Sequence, residues 1–387
     1  MRHVYVIGSK GIPANYGGFE TFVECLTTKK KSPEITYHVA CLAKEEGRDT
    51  WRSVDCIRMT VPEIGPAKAV LFDRKAFLFA LSEIEKNGYK DAVILVLACR
   101  IGIFFRGLMK KAHRLGVRIF VNPDGHEWMR SKWNGFIQKY WKYSEDRMVR
   151  EADLMICDSK EMERYIQTEY ASYAPKTCYL SYGADLPQEP SKDLSAAQNA
   201  YTEWLSAQQV EAGAYALVVG RFVPENNYET MIREYLAADL SIPLVLICNV
   251  EKNKLYENLQ ARFLIEGNPK LCFAGTVYDA ALLTEIRKGA AVYLHGHEVG
   301  GTNPSLLEAL ACTEVNLLLD VPFNREVGEE AALYWTKEEG SLAKQLAFAV
   351  KLSLPQRKAF GCRAKNRIKD AYTWDRIVEG YEERFLA

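Results

Sequence analysis

His295-Gly296-His297-Glu298-Val299-Gly300-Gly301-Thr302-Asn303-Pro304-Ser305-Leu306-Leu307-Glu308-Ala309-Leu310-Ala311-Cys312 is the stretch on which the reading of this chain turns. It follows Ala290-Ala291-Val292-Tyr293-Leu294, an apolar run with the length of a buried strand. The chain then turns at a double glycine and enters a short apolar helix. Asn303 is placed to cap that helix, and Pro304 occupies a first-turn position where a missing N–H costs nothing. A strand, a Gly-rich turn and a capped helix leave backbone N–H groups and a helix dipole facing one point, where an anion is welcome. Glu308 lies one turn into the helix, within reach of whatever carries the anion. The alternative is an ordinary β–α turn of an α/β fold.

The rest of the second half repeats this grammar. Strand patterns cover Tyr215–Val219, Leu244–Cys248, Leu271–Gly275 and Asn316–Leu319, and helical patterns cover Thr230–Ala237, Lys254–Arg262, Ala280–Arg287, Lys337–Leu352, Pro355–Asp370 and Trp374–Phe385. The first half alternates likewise. Strands are expected at His3–Ile7, Tyr37–Leu42, Val93–Ala98, Val117–Val121, Leu154–Cys157 and Thr177–Leu180, with helices at Phe19–Leu26, Asp73–Glu85, Ile101–Leu115 and Trp128–Arg150. Between the halves, Pro187-Gln188-Glu189-Pro190-Ser191-Lys192-Asp193 reads as a linker. Two alternating halves imply two doubly wound domains facing a central cleft. No short tandem repeat is evident.

Composition excludes several classes. The 387 residues exceed one comfortable core, and 48% hydrophobic with 26% charged content describes a globular chain. Fifty basic residues balance fifty acidic ones, so no overall bias toward nucleic acid exists. The ten cysteines form no CxxC pair, and several sit in apolar runs, as buried thiols do in a reducing compartment. No signal peptide or membrane-length apolar run is visible, so a cytoplasmic protein is expected.

Other segments suggest ligands. The first strand ends in Gly8-Ser9-Lys10-Gly11-Ile12-Pro13-Ala14-Asn15-Tyr16-Gly17-Gly18-Phe19-Glu20, too irregular for the dinucleotide fingerprint and broken by Pro13. It reads either as a loop folding over a ligand or as a plain flexible loop. His126 ends a strand and is either a base or hydroxyl donor or a structural histidine. Asp158 is either a helix cap beside Ser159 or a cleft residue. The Trp128–Arg150 segment interleaves Trp133, Phe136, Tyr140, Trp141 and Tyr143 with Arg130, Lys132, Lys139, Lys142 and Arg147, which suits either an anionic lipid surface or an amphipathic helix on the core. His295 and His297 lack a third ligand nearby and are read as structural or donor-contacting rather than as a metal pair.

Taken together, these segments resemble the GT-B glycosyltransferases, specifically the retaining group that includes glycosyltransferase family 4. Gly220-Arg221-Phe222-Val223-Pro224-Glu225-Asn226-Asn227 is similar to that group's G-R-x-x-x-E-K-N segment, with Asn226 in place of Lys. Gly300–Glu308 followed by Ala309-Leu310-Ala311-Cys312 resembles its E-x7-E helix, with Gly300 at the first Glu position, Glu298 two residues earlier, and Thr313 in place of Gly. Asp158-Ser159 and Tyr182-Gly183-Ala184-Asp185 resemble segments of its first domain. The finer likeness, through Gly11–Thr21 and the His295–Glu308 stretch, is to bacterial rhamnosyltransferases of capsular and rhamnose-rich wall polysaccharides, nearest the streptococcal enzymes that place the first rhamnose on lipid-linked N-acetylglucosamine (GlcNAc).

The resemblance implies an acceptor-binding domain at 1–187, a nucleotide-sugar domain at 188–370 and a C-terminal helix at 371–387, free to cross back. It implies retaining β-1,4 transfer of L-rhamnose from dTDP-L-rhamnose to a polyprenyl-diphosphate-linked GlcNAc, by a protein attached peripherally to the inner face of the cell membrane. No paired carboxylates or Asp-x-Asp motif stands where a metal would be held, so metal-independent transfer is expected. No cofactor is implied, and a homodimer is compatible with the sequence. Arg221, Glu308, Asp158, Tyr182 and His126 are the expected catalytic residues. Gly17, Gly18, Arg221, Asn226, Glu298, Gly300, Gly301, Thr302, Asn303, Ser305 and Glu308 are the expected donor contacts. Arg221 would meet charge growing on the departing diphosphate, and Glu308 a nucleoside hydroxyl, of which a deoxyribose offers one fewer than a ribose. The competing readings are a transferase with another donor or acceptor, an NAD-dependent sugar-modifying enzyme, and a non-catalytic binding scaffold.

Overall fold

The structure, a computed structural model, describes residues 1–14, 17–130, 133–187 and 194–387. Asn15 and Tyr16 of the glycine-rich loop, Lys132 of the basic segment and linker residues 188–193 lie outside them. The chain divides into two compact units, Met1–Gly183 with Trp374–Ala387, and Ala184–Thr373, against expected boundaries of 187 and 370.

In the first unit the elements run β1 (Arg2–Ile7), α1 (Gly18–Thr28), β2 (Ile35–Leu42), β3 (Gly47–Trp51), β4 (Val54–Met59), α2 (Ala67–Asn87), β5 (Val93–Leu97), α3 (Gly102–Arg114), β6 (Arg118–Asn122), α4 (Gly135–Glu151), β7 (Leu154–Cys157), α5 (Lys160–Glu169) and β8 (Thr177–Tyr179). The sheet order is β3-β4-β2-β1-β5-β6-β7-β8, parallel except where β3 runs antiparallel to β4. β5 is buried at every position, because a parallel strand covered on both faces has no wet side. The core contains Ile94 and Val96 of β5 together with Phe72, Ala76, Phe77, Ala80, Leu81 and Ile84, spaced along one stripe of α2. That helix stops at Gly88, whose φ of 65° lets its N–H reach the carbonyls of Ile84 and Glu85.

The second unit runs α6 (Leu194–Gln208), β9 (Ala216–Val219), α7 (Tyr228–Ala238), β10 (Leu244–Ile247), α8 (Lys254–Phe263), β11 (Leu271–Gly275), α9 (Ala280–Lys288), β12 (Val292–His295), α10 (Pro304–Cys312), β13 (Asn316–Leu319), α11 (Pro322–Gly328), β14 (Leu333–Trp335), α12 (Ser341–Ala349) and α13 (Leu354–Ala371). Its sheet order is β11-β10-β9-β12-β13-β14, parallel throughout. One core fills each face, around Leu244, Leu246 and Leu294 on one side and Tyr215, Val245 and Tyr293 on the other. The sheet changes winding direction between β9 and β12, as the first does between β1 and β5. Open sheets of this kind accept ligands at the carboxyl ends of the two strands flanking that point.

The last helix, α14 (Trp374–Leu386), belongs to the first unit. Tyr381 packs its ring 5.1 Å from Phe22, and Phe385 lies 6.1 Å from Phe120. Buried Glu382 accepts the backbone N–H groups of Lys31 (3.0 Å) and Ser32 (2.8 Å). Arg118 and Arg2 donate to the carbonyls of Phe385 and Leu386 at 2.8 and 3.0 Å, meeting acceptors that a helix end leaves without partners.

Several elements differ from the sequence reading. The expected helix Trp128–Arg150 is a 3-10 turn, Glu127–Met129, and a separate α4, capped by the Asn134 side chain on the N–H of Ile137. Asn134-Gly135 supplies a cap and a flexible residue within the aromatic pattern, and the helix restarts there. Lys337–Leu352 shortens to α12. The β3–β4 hairpin and the short elements α11 and β14 were not foreseen. The hairpin turns at Arg52-Ser53 with φ of 47° and 68°, residues that carry none of the usual Asn-Gly signal. Among the described residues no helix is long and apolar enough to cross a membrane.

Candidate functional site

The β9/β12 switch point gathers the expected residues of the second unit. The loop after β9 carries Arg221 to Asn227, and the loop after β12 carries Gly296 to Asn303. Side chains stitch the two loops together. Asn226 donates its amide to the Arg221 carbonyl at 2.8 Å, and its Oδ1 meets His297 Nδ1 at 2.7 Å. Asn227, in a left-handed conformation at φ 56°, donates to the Gly296 carbonyl (2.8 Å) and to Glu298 (2.7 Å). The Glu298 N–H reaches the Glu225 carbonyl at 3.2 Å. Asn226 and Glu298 are therefore fasteners of the loops, and Glu298 is further held by Lys337.

Within this frame Arg221 is exposed, and among the described residues its guanidinium takes no hydrogen-bond or ion-pair partner. The helix start differs from the sequence reading in one respect. The Asn303 side chain accepts the N–H of Ser305 at 2.9 Å, and its carbonyl accepts those of Leu306 and Leu307 at 3.0 and 3.2 Å. The first N–H groups of α10 are thus satisfied internally. In the segment just ahead of the helix, the amides of Gly300, Gly301 and Asn303 take no partner among the described residues. Gly300 has a φ of 128°, a conformation that a side chain would oppose. The loop therefore offers glycine amides, a helix dipole and an uncommitted guanidinium on one sheet edge, a set suited to a diphosphate. Thr302 is buried within the same loop. A cavity of about 520 Å³ opens along this edge, lined by Cys248, Asn249 and Val250 after β10, by Gly275 and Thr276 after β11, and by Tyr256.

Glu308 projects from the first turns of α10 and pairs through Oε2 with Arg287 at 2.6 Å. Ser305 Oγ lies 3.2 Å from the buried Tyr293 hydroxyl, and both face the Val219 carbonyl at 3.3 Å. These contacts fix α10 to the ends of β9 and β12.

His295 is buried, its Nε2 has no hydrogen-bond partner, and its ring lies 6.0 Å from that of His297. Burial lowers its pKa from 6.5 to about 3, so the imidazole is neutral in the folded protein at neutral pH. Among the described residues, no group of three His, Cys, Asp or Glu is arranged to hold a metal ion. Because the folded-state value lies below the unfolded one, the unfolded chain takes up the proton first as pH falls. Stability from this group is complete above pH 6.5 and declines below it. Between pH 6.5 and 5 the expected loss is about 2 kcal/mol. Thermal melts should show that His295→Leu loses less stability on acidification than the parent protein, and equal losses would clear His295 as the source.

In the first unit the expected residues sit at the carboxyl ends of β1, β6, β7 and β8 or in the segments after them. Gly17 and Gly18 begin α1, where a Cβ on Gly17 would lie 2.1 Å from Glu20 Oε2. The loop ahead of them spends two backbone donors on that helix: Lys10 N–H meets Glu20 at 2.8 Å and Ala14 N–H meets Glu24 at 2.6 Å. Asp158 and Tyr182 come together and are both buried. Tyr182 packs its ring 5.4 Å from Phe22, and burial, followed by the Asp158 charge, pushes its hydroxyl far above the ordinary range. Ser159 caps α5 by accepting the Met162 N–H at 3.1 Å. His126 is half-buried against Tyr165, 4.3 Å between ring centroids, and burial lowers its pKa.

Three residues escaped the sequence reading. Arg100, just past β5, donates to the Gly8 carbonyl at 2.6 Å and faces buried Asp73 at 3.3 Å, which places a cation at the β1/β5 switch point. Desolvation raises Asp73 to about 6, with Arg100 opposing the rise. The position after an apolar strand was the available signal. Lys337, beside the loop after β12, and Arg287, at the end of α9, had no motif around them.

This is the fold of the GT-B class, two Rossmann-like α/β domains with parallel sheets. Among solved structures it is similar to sucrose-phosphate synthase from Thermosynechococcus elongatus, at 16% identity and a TM-score of 0.79, over 100% of this chain and 98% of that one. It is similar to an α,α-trehalose-phosphate synthase (UDP-forming) from Burkholderia xenovorans, solved with glucose-6-phosphate, at 11% identity and a TM-score of 0.75 over 100% of both chains. HepE of Anabaena, solved in complex with UDP, matches at 12% identity and a TM-score of 0.70 over 99% of both chains. At these identities the likeness is one of fold. Residues 1–185 match the family described as "Domain of unknown function (DUF1972)". No curated protein sequence matches the chain.

Proposed function

We propose that this protein is a retaining glycosyltransferase that moves L-rhamnose from dTDP-L-rhamnose to a polyprenyl-diphosphate-linked GlcNAc in bacterial wall or capsule synthesis. The observation that carries the reading is the uncommitted Arg221 guanidinium on the same sheet edge as the Gly300, Gly301 and Asn303 amides. In the reaction, the bond between the anomeric carbon and the diphosphate oxygen breaks, and an acceptor hydroxyl oxygen bonds to that carbon. Arg221, the loop amides and the α10 dipole stabilise the charge growing on the departing diphosphate without a divalent ion. The leaving phosphate takes the acceptor proton. Glu308 accepts a hydroxyl of the nucleoside sugar, and the cavity after β10 and β11 takes the base. The solved structures of this fold named for UDP support the donor class, whereas the choice of rhamnose and of GlcNAc rests on the sequence resemblance.

The first unit supplies the acceptor site, with His126 and Arg100 the polar groups best placed to orient it. Asp158 and Tyr182, buried together, shape that site from beneath. Attachment to an anionic membrane surface is part of the same proposal. One face of α4 exposes Phe136 and Tyr143, 84% and 46% accessible, beside Lys139 and Arg150.

Incubating the protein with a short polyprenyl-diphosphate GlcNAc and single nucleotide sugars tests the reading by product mass. A deoxyhexose added from dTDP-rhamnose is the expected result. Transfer from a different nucleotide sugar alone would replace the donor, and consumption of none would reject transferase activity.

A further inference from the structure

We infer that Lys142 is a positioning residue of the acceptor step: its ammonium, caged among the aromatic rings that seat His126, keeps a second positive charge off that imidazole, so that His126 accepts the hydrogen bond of the attacking hydroxyl. The inference rests on the reading of the first unit as the acceptor site. His126 follows β6 at the ligand edge, and its ring nitrogens take no hydrogen-bond partner among the described residues. Its ring meets those of Tyr165 and Trp128 in T-shaped contacts, with centroids 4.3 and 5.8 Å away. The same two rings serve Lys142. Its Nζ lies 4.9 Å from the Trp128 centroid and 5.0 Å from those of Tyr165 and Tyr170.

Hydrogen bonds fix the cation in this cage. Lys142 donates to the Tyr165 hydroxyl at 2.5 Å and pairs with Glu169 at 2.8 Å. Buried Glu145 accepts the hydroxyls of Tyr165 and Tyr170 at 2.6 and 2.5 Å and lies 3.5 Å from the ammonium. Desolvation works against the Lys142 charge, but Glu169 and Tyr165 outweigh it and raise its pKa, so the ammonium persists. The groups that act on His126 come from two helices. Lys142 and Glu145 belong to α4, and Glu161, Tyr165 and Glu169 to α5. Burial is the largest influence and favours the neutral ring, whereas the three carboxylates favour the imidazolium and Lys142 opposes them. A neutral imidazole keeps one nitrogen as an acceptor, while an imidazolium has two donors and no acceptor. The attacking hydroxyl therefore meets an acceptor only while His126 is uncharged, and its proton passes, as in the proposed reaction, to the leaving phosphate. Lys142 acts through His126 and not on the substrate.

The test follows the His126 ring signal by NMR in the full chain labelled at histidine, with His126→Gln assigning the resonance, beside the pH profile of sugar transfer. Lys142→Met fills much of the same space without the charge, and leaves Glu145 its two tyrosine donors. Its His126 should titrate at higher pH than in the parent protein. Transfer relative to the parent should fall about tenfold at pH 7 and recover to within about twofold at pH 8.5, where the ring is neutral again. A loss that persists at pH 8.5 is a structural one and overturns the inference. Lys142→Arg, which restores the cation, should return the parent profile. Glu145→Gln removes a carboxylate and should move the titration to lower pH, which keeps the test open if Lys142→Met does not fold. An unmoved His126 titration in either folded variant overturns the inference. A moved titration with an unchanged pH profile overturns the acceptor role of His126, and the role of Lys142 with it.

Discussion

Arg221→Ala is expected to reduce sugar transfer by about 10²- to 10³-fold, the usual consequence of removing one preorganised donor from developing negative charge. The side chain is exposed and takes no partner among the described residues, so its loss leaves no buried group stranded and stability should hold within about 0.5 kcal/mol. Its charge matters most as the glycosidic bond breaks, because the leaving diphosphate then gains negative charge that the ground state lacks. The larger part of the effect should therefore fall on kcat. Arg221→Lys should recover only part of the rate, since a point charge does not reproduce a planar fork of donors. Steady-state kinetics beside a thermal melt separates the outcomes. A variant that melts normally and transfers normally would remove Arg221 from the chemistry.

Gly296→Ala is expected to damage both stability and activity. A methyl group there would lie 2.4 Å from the Asn226 carbonyl oxygen and 3.1 Å from Met231 Sδ, so backbone has to move. Overpacking of this kind costs about 1–3 kcal/mol. In a unit of this size that lowers Tm by roughly 2–10 °C. The displaced backbone belongs to Asn226, whose side chain bonds both the Arg221 carbonyl and His297, so the guanidinium shifts from the glycine amides and transfer falls with it. Gly107→Ala is the control. It lies within α3 with nothing inside 4 Å, and should be neutral or slightly stabilising. Equal melting of the two variants would show that the loops are not packed as described.

Much of this was legible in the sequence because the signals were local. Buried parallel strands announce themselves as unbroken apolar runs, and Asn303-Pro304 marks a helix start by its own chemistry. The hairpin Gly47–Met59 was not legible, since its edge strand β3 carries Arg48 and Asp49, β4 carries Arg58, and its turn residues are atypical. The α4 restart was hidden because an aromatic-basic pattern ran across Asn134-Gly135. The site divided in the same way. Arg221 and Glu308 could be named from motifs, whereas the work of Asn226 and Glu298 as loop fasteners depends on partners about 70 residues away in sequence. Arg287 and Arg100 owe their importance to burial and to a neighbouring carboxylate, neither of which sequence spacing encodes.

The most direct measurement is a crystal structure of the protein with bound dTDP. The diphosphate should lie within hydrogen-bond distance of the Arg221 guanidinium and of the Gly300 and Gly301 amides. Phosphates bound elsewhere, with Arg221 still facing solvent, would contradict the assignment of this sheet edge as the donor site.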